Sequence, residues 1–100
     1  MSDYPTEEQL AKIRTWPSND PKGWFAFIKA VWWSPDWGWT EQALPKGAPL
    51  LNRGTLYAVS TGGWSGNEEI IAAMQKHESL WLTTWESSRR GGHYEFEVTP

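Results

Sequence analysis

Residues 55–74 read TLYAVSTGGWSGNEEIIAAM, and their pattern decides the class of fold. Thr55 to Ser60 predicts a strand, with Leu56 and Ala58 on one face and Tyr57 and Val59 on the other. A strand apolar on both faces belongs inside a sheet, not at its edge. Gly62 and Gly63 break the strand. Ser65 and Glu68 then form an S-x-x-E capping signal, and Ile70, Ile71 and Met74 recur at helical spacing. This helix is expected to end near Lys76-His77. A central strand feeding an amphipathic helix calls for a sheet covered by helices.

Upstream, Thr6 and Gln9 form a capping box, and Leu10 and Ile13 give an apolar stripe that stops at Trp16-Pro17. Asp20-Pro21 opens a second helix, whose Trp24, Phe25, Phe27, Ile28, Val31 and Trp32 cover one broad face. Ser34-Pro35-Asp36 ends it, Trp37 to Glu41 predicts a short edge strand, and residues 43–54 predict a surface loop. Downstream, Leu80 to Ser87 is expected to be a strand, Ser88 to Gly92 a turn, and His93 to Thr99 the returning strand. On that last strand Tyr94, Phe96 and Val98 are expected to point inward, and His93, Glu95 and Glu97 outward. The order α-α-(β)-β-α-β-β describes a single α+β domain over residues 1–100. Three helices are expected to pack on a small, mostly antiparallel sheet.

Composition narrows the chemistry. Without cysteine there is no disulfide, thiolate metal site or thiol nucleophile. The acidic start, Met1 to Tyr4, has no apolar core of a secretory signal. The longest apolar stretch, Trp24 to Trp33, is interrupted by Lys29 and is too short for a membrane span. With a net charge of −3 and scattered basic residues, general nucleic-acid binding is not expected. The nine tryptophans, at 16, 24, 32, 33, 37, 39, 64, 81 and 85, exceed what so small a core hides. Some are therefore expected to line a groove or an interface.

Two segments stand out as candidate sites. The loop from Ser60 to Glu69 could present backbone N–H groups to an anion at a helix start, with Trp64, Ser65 and Asn67 beside it. Against this, Ser65 and Glu68 cap those groups themselves, and Glu68-Glu69 would repel a phosphate. Trp64 has no local staple, because the staple position carries Glu69. The turn Arg89-Arg90-Gly91-Gly92-His93 holds the one adjacent pair of guanidiniums. Trp81, Trp85 and Tyr94 are its expected stacking neighbours. No metal spacing, P-loop or nucleophile elbow occurs, and a Ser-His-acid triad is not legible from scattered residues. No catalytic residue, cofactor or metal is expected.

Several strings occur together: Tyr4-Pro5-Thr6 with Trp16-Pro17, Trp32 to Gly38, Ser60 to Ile71, and Ser88 to Tyr94. In these the chain resembles a family of small orphan proteins of tailed bacteriophages and prophages. The resemblance spans most of the chain outside residues 43–53 and carries no residue roles. It implies a viral product acting in the bacterial cytoplasm. The expected function is a binding protein in counter-defence, holding a small anionic, nucleotide-type ligand through Trp64, Ser65, Asn67, Arg89, Arg90, His93, Tyr94, Trp81 and Trp85. Inhibition of a host protein complex, or a minor structural role, are the alternatives. The residues leave self-association open.

Overall fold

The computed structural model describes residues 4–33, 35–43 and 54–98. Helix α1 (Glu7–Thr15) begins on the expected capping box: the Thr6 hydroxyl accepts from the Gln9 N–H at 3.1 Å, and the Gln9 side chain accepts from the Thr6 N–H at 2.8 Å. Helix α2 (Pro21–Val31) is capped by the Asp20 carboxylate, which accepts from the Gly23 N–H at 3.1 Å. Pro21 occupies the first turn, where its missing N–H costs nothing. A helical turn α3 (Pro35–Gly38) then leads into β1 (Trp39–Ala43). Strand β2 (Thr55–Ser60) and helix α4 (Ser65–Lys76) follow as read. The chain closes with α5 (Glu78–Thr84), β3 (Trp85–Arg89) and β4 (His93–Val98).

All pairings in the four-stranded sheet are antiparallel, in the order β1-β2-β4-β3. The class is α+β, and β2 is central as its two apolar faces demand. Helices cover one face. There Phe25 of α2 lies flat on Tyr57, with ring centroids 4.3 Å apart and planes 11° apart, and Phe96 stands 5.3 Å away. Trp24 is fully buried and donates its indole N–H to the Ile13 carbonyl at 2.9 Å, tying α2 to α1. Ile70, Ile71 and Met74 of α4 complete the core, as expected.

Four local expectations need correction. Leu80 to Thr84 is helix, not strand, and only Trp85 to Arg89 extends. The side chain of His77 caps α5, its Nδ1 accepting from the Leu80 N–H at 3.3 Å. Thr83 and Thr84 turn their hydroxyls onto the Ser79 and Leu80 carbonyls at 2.9 and 2.6 Å, so two β-branched residues sit in a helix with their polar atoms satisfied. Leu80 and Thr84 are buried one helical turn apart, a helical period mistaken for strand composition.

The Ser65–Glu68 capping box is absent. Trp64 is the N-cap of α4 and makes no side-chain cap bond. Its ring instead packs against Tyr4 and Trp33. The first strand is displaced to Trp39–Ala43, which leaves Trp37 in the helical turn before it. The hairpin strand runs through Arg89, so the turn is Arg90 to Gly92. Residues 44–53 of the expected loop, with Ser34 and Thr99, lie outside the described residues. Among the described residues no helix is long and apolar enough to cross a membrane.

Candidate binding surface

The indoles divide by location. Trp24, Trp32 and Trp39 are buried, and Trp16, Trp64 and Trp81 are half-buried. Trp33, Trp37 and Trp85 are exposed, Trp37 most of all at 69 %. Trp32, the C-cap of α2, has extended backbone and is buried, whereas Trp33 follows it outside the helix and is exposed. Asn67, buried on α4, fixes where Trp33 goes. Its Oδ1 accepts from the Trp33 N–H at 2.9 Å, and its Nδ2 donates to the Trp33 carbonyl at 3.1 Å. Thus anchored, Trp33 stacks on Trp64 with centroids 4.7 Å apart and planes 24° apart, and Tyr4 packs on Trp64 at 5.2 Å. The stack supplies the partner that Trp64 lacks locally. Gly66 leaves room for it, since a Cβ there would come within 2.8 Å of the Trp64 indole nitrogen.

Trp37 lies across Gly62, whose missing Cβ would stand 2.8 Å from the indole ring. Gly62 and Gly63 have φ of +64° and +73°, a backbone that turns β2 toward α4 and that glycine adopts without steric cost. The same turn holds the arginine hairpin. The Thr61 N–H donates to the Gly92 carbonyl at 3.0 Å, and a Cβ on Gly92 would strike the Thr61 hydroxyl. The two loops singled out in the sequence are therefore joined, and the exposed Trp37 sits at their junction.

The expected site residues do not all converge there. Ser65 is exposed at the first position of α4, and Asn67 is committed to Trp33. Arg90 is exposed on the turn. Arg89 pairs across the ladder with His93, and its charge acts on Glu95, which places it on the sheet face away from the helices. Tyr94 and Trp81 belong to the helical face, meeting edge-on at 6.2 Å, with Trp81 also 5.3 Å from Phe96. Strand alternation thus separates Arg89 from the aromatic rings expected to stack with it. Trp85 is exposed and donates its indole N–H to the Ser88 hydroxyl at 2.8 Å.

His93, Glu95 and Glu97 were expected in solvent but are half-buried. The Ser60 hydroxyl and His93 Nδ1 lie 2.9 Å apart, and His93 Nε2 is 3.5 Å from Glu95. The Ser87 hydroxyl donates to Glu95 at 3.1 Å. These hydrogen bonds, Ser87 first and His93 second, hold the Glu95 carboxyl below its ordinary range. Sequence reasoning missed Trp33, Trp37, Tyr4 and Ser60. The stripe ending at Trp32 was the available signal for Trp33, and the β2–β4 register was the signal for Ser60.

A hollow of about 240 Å³ occurs elsewhere, lined by Glu8, Gln9, Lys12 and Phe27, with no predicted site residue in it. No group of metal-ligating side chains occurs among the described residues. Compared with known proteins, the chain matches no family model, no curated protein and no solved structure.

Proposed function

We propose that this chain is a binding protein that docks a protein partner on the surface formed by Trp37, Trp33, Trp64 and Tyr4. One observation carries the reading: a 69 %-exposed Trp37 rests on Gly62, two residues before the Trp64 that stacks on the exposed Trp33. Tryptophan and tyrosine are enriched among the residues that dominate interface energetics, because large rigid rings give contact area at little entropic cost. The exposed Arg90, on the turn bonded to Thr61, supplies a polar rim. The surface is built of rings laid against backbone. A nucleotide, by contrast, is normally held in a concave pocket that covers most of it. In the setting that the bacteriophage resemblance implies, the partner is a host defence or regulatory complex.

Affinity capture from bacterial lysate tests the reading. Wild type and Trp85→Ala should retain a stoichiometric protein that Trp37→Ala loses. Equal capture by all three would remove Trp37 from the interface. The anionic-ligand alternative is favoured by the closeness of the Arg90 turn to Trp37. It requires a rise in melting temperature with some nucleotide, since saturation at 100 times Kd adds ~2.7 kcal/mol.

A further inference from the structure

The polar face of the sheet carries an arrangement that docking does not use. Ser60 is the last residue of β2 and pairs directly with His93, the first residue of β4. Two residues on, Glu95 lies on the same face, and Ser87 is its partner on β3. The Glu95 carboxylate beside Nε2 assigns the ring proton to that nitrogen, which leaves Nδ1 to accept the Ser60 O–H at 2.9 Å. Ser87 pins the far oxygen of Glu95. The side chains of His93 and Glu95 are 32 % and 29 % exposed, reachable by a small molecule yet partly shielded from water. A hydroxyl bonded to a base, with the base oriented by a third group, is the arrangement that activates a serine nucleophile.

We propose that Ser60 is an activated nucleophile that accepts acyl groups from activated esters, with His93 as its base and Glu95 as a positioning residue. The Ser60 oxygen attacks the ester carbonyl as its proton passes to His93 Nδ1. The tetrahedral adduct collapses, the C–O bond to the leaving alcohol breaks, and that alcohol takes the proton from His93. Acyl-Ser60 remains, and a water deprotonated by His93 releases the carboxylic acid and restores the serine. On an open sheet face the oxyanion is met largely by water, so slow turnover is expected.

The test is acetylation of the full chain by p-nitrophenyl acetate, followed by peptide mass spectrometry. A single acetyl group on Ser60 is expected, absent from Ser60→Ala. General-base assistance is worth ~10²–10⁴-fold, and His93→Gln should slow acetylation by about that factor. Glu95→Gln should slow it less and shift the pH at which the rate rises. Acetyl groups on other residues alone, or an unchanged rate in His93→Gln, would overturn the proposal. If His93→Gln does not fold, the wild-type pH–rate profile decides. A rise through a single ionisation followed by a plateau supports the base, and a rate proportional to hydroxide throughout overturns it.

Discussion

Asn67 grips Trp33 by both of its backbone groups, accepting from the N–H at 2.9 Å and donating to the carbonyl at 3.1 Å. One side chain of α4 thereby does what a continued α2 would have done for the chain leaving its last turn. It also aims the Trp33 indole at Trp64. Asn67→Ala leaves two part-buried backbone groups without these partners, and since water reaches them in part the loss should lie near the low end of the ~1–3 kcal/mol that a fully buried unpaired group costs. The urea midpoint should fall accordingly. An unchanged midpoint would mean that water replaces the amide without loss.

Gly91 and Gly92 separate two costs that usually travel together. Both have positive φ, +86° and +79°, so alanine at either position meets the same backbone penalty of roughly 1–2 kcal/mol. Only at Gly92 does the new Cβ also run into Thr61, since nothing lies near a Cβ at Gly91. Gly92→Ala should therefore be clearly less stable than Gly91→Ala in chemical denaturation. Equal losses would show that the two loops are not in contact.

The helical assignment of α5 has a sign test. Thr83 is exposed, and alanine is favoured over threonine in a helix by about 0.5 kcal/mol, whereas threonine is favoured in a strand. Thr83→Ala should raise the melting temperature slightly even though it deletes the hydroxyl contact to Ser79. A drop would speak for an extended segment.

Glu95 gives a pH signature. Its carboxyl lies below its ordinary range through bonds from Ser87 and His93, so the folded state favours the ionised form. That stability is fully present above the ordinary carboxylate pKa and is lost as pH falls through the lowered folded value. The stability gap between wild type and Glu95→Gln should close as pH falls through the acid range. Because the side chain is 29 % exposed, solvent reduces the gap. A gap that does not change with pH would show that Glu95 contributes packing alone.

Helix starts were legible at α1 and α2, where Thr and Asp caps are local. Thr6 with Gln9 and Asp20 with Pro21 behave as their spacing demands. The same reasoning failed at Ser65, where Trp64 takes the N-cap position and packs on Trp33, a residue distant in the chain that no capping pattern contains. It failed at Leu80 to Thr84 because tryptophan, leucine and threonine match strand composition, and the local helical partners, a His77 cap and hydroxyls bonded four residues back, are not the usual Ser/Thr/Asp/Asn signals. Surplus indole surface was legible from composition, and so was the importance of the two loops. Which indoles are exposed was not, because this depends on where the α2 stripe ends and on Trp37 falling one turn before the sheet. The separation of Arg89 from Tyr94 and Trp81 follows from strand alternation, but only once residues 80–84 are known to be helix.

Fluorine NMR of protein labelled with 5-fluorotryptophan, with the nine resonances assigned by single substitutions, reads the docking surface without knowledge of the partner. On adding bacterial lysate, the signals of Trp33, Trp37 and Trp64 should shift or broaden while those of Trp24, Trp39 and Trp85 stay in place. A response confined to Trp81 and Trp85, or none from Trp37, would contradict docking on this surface.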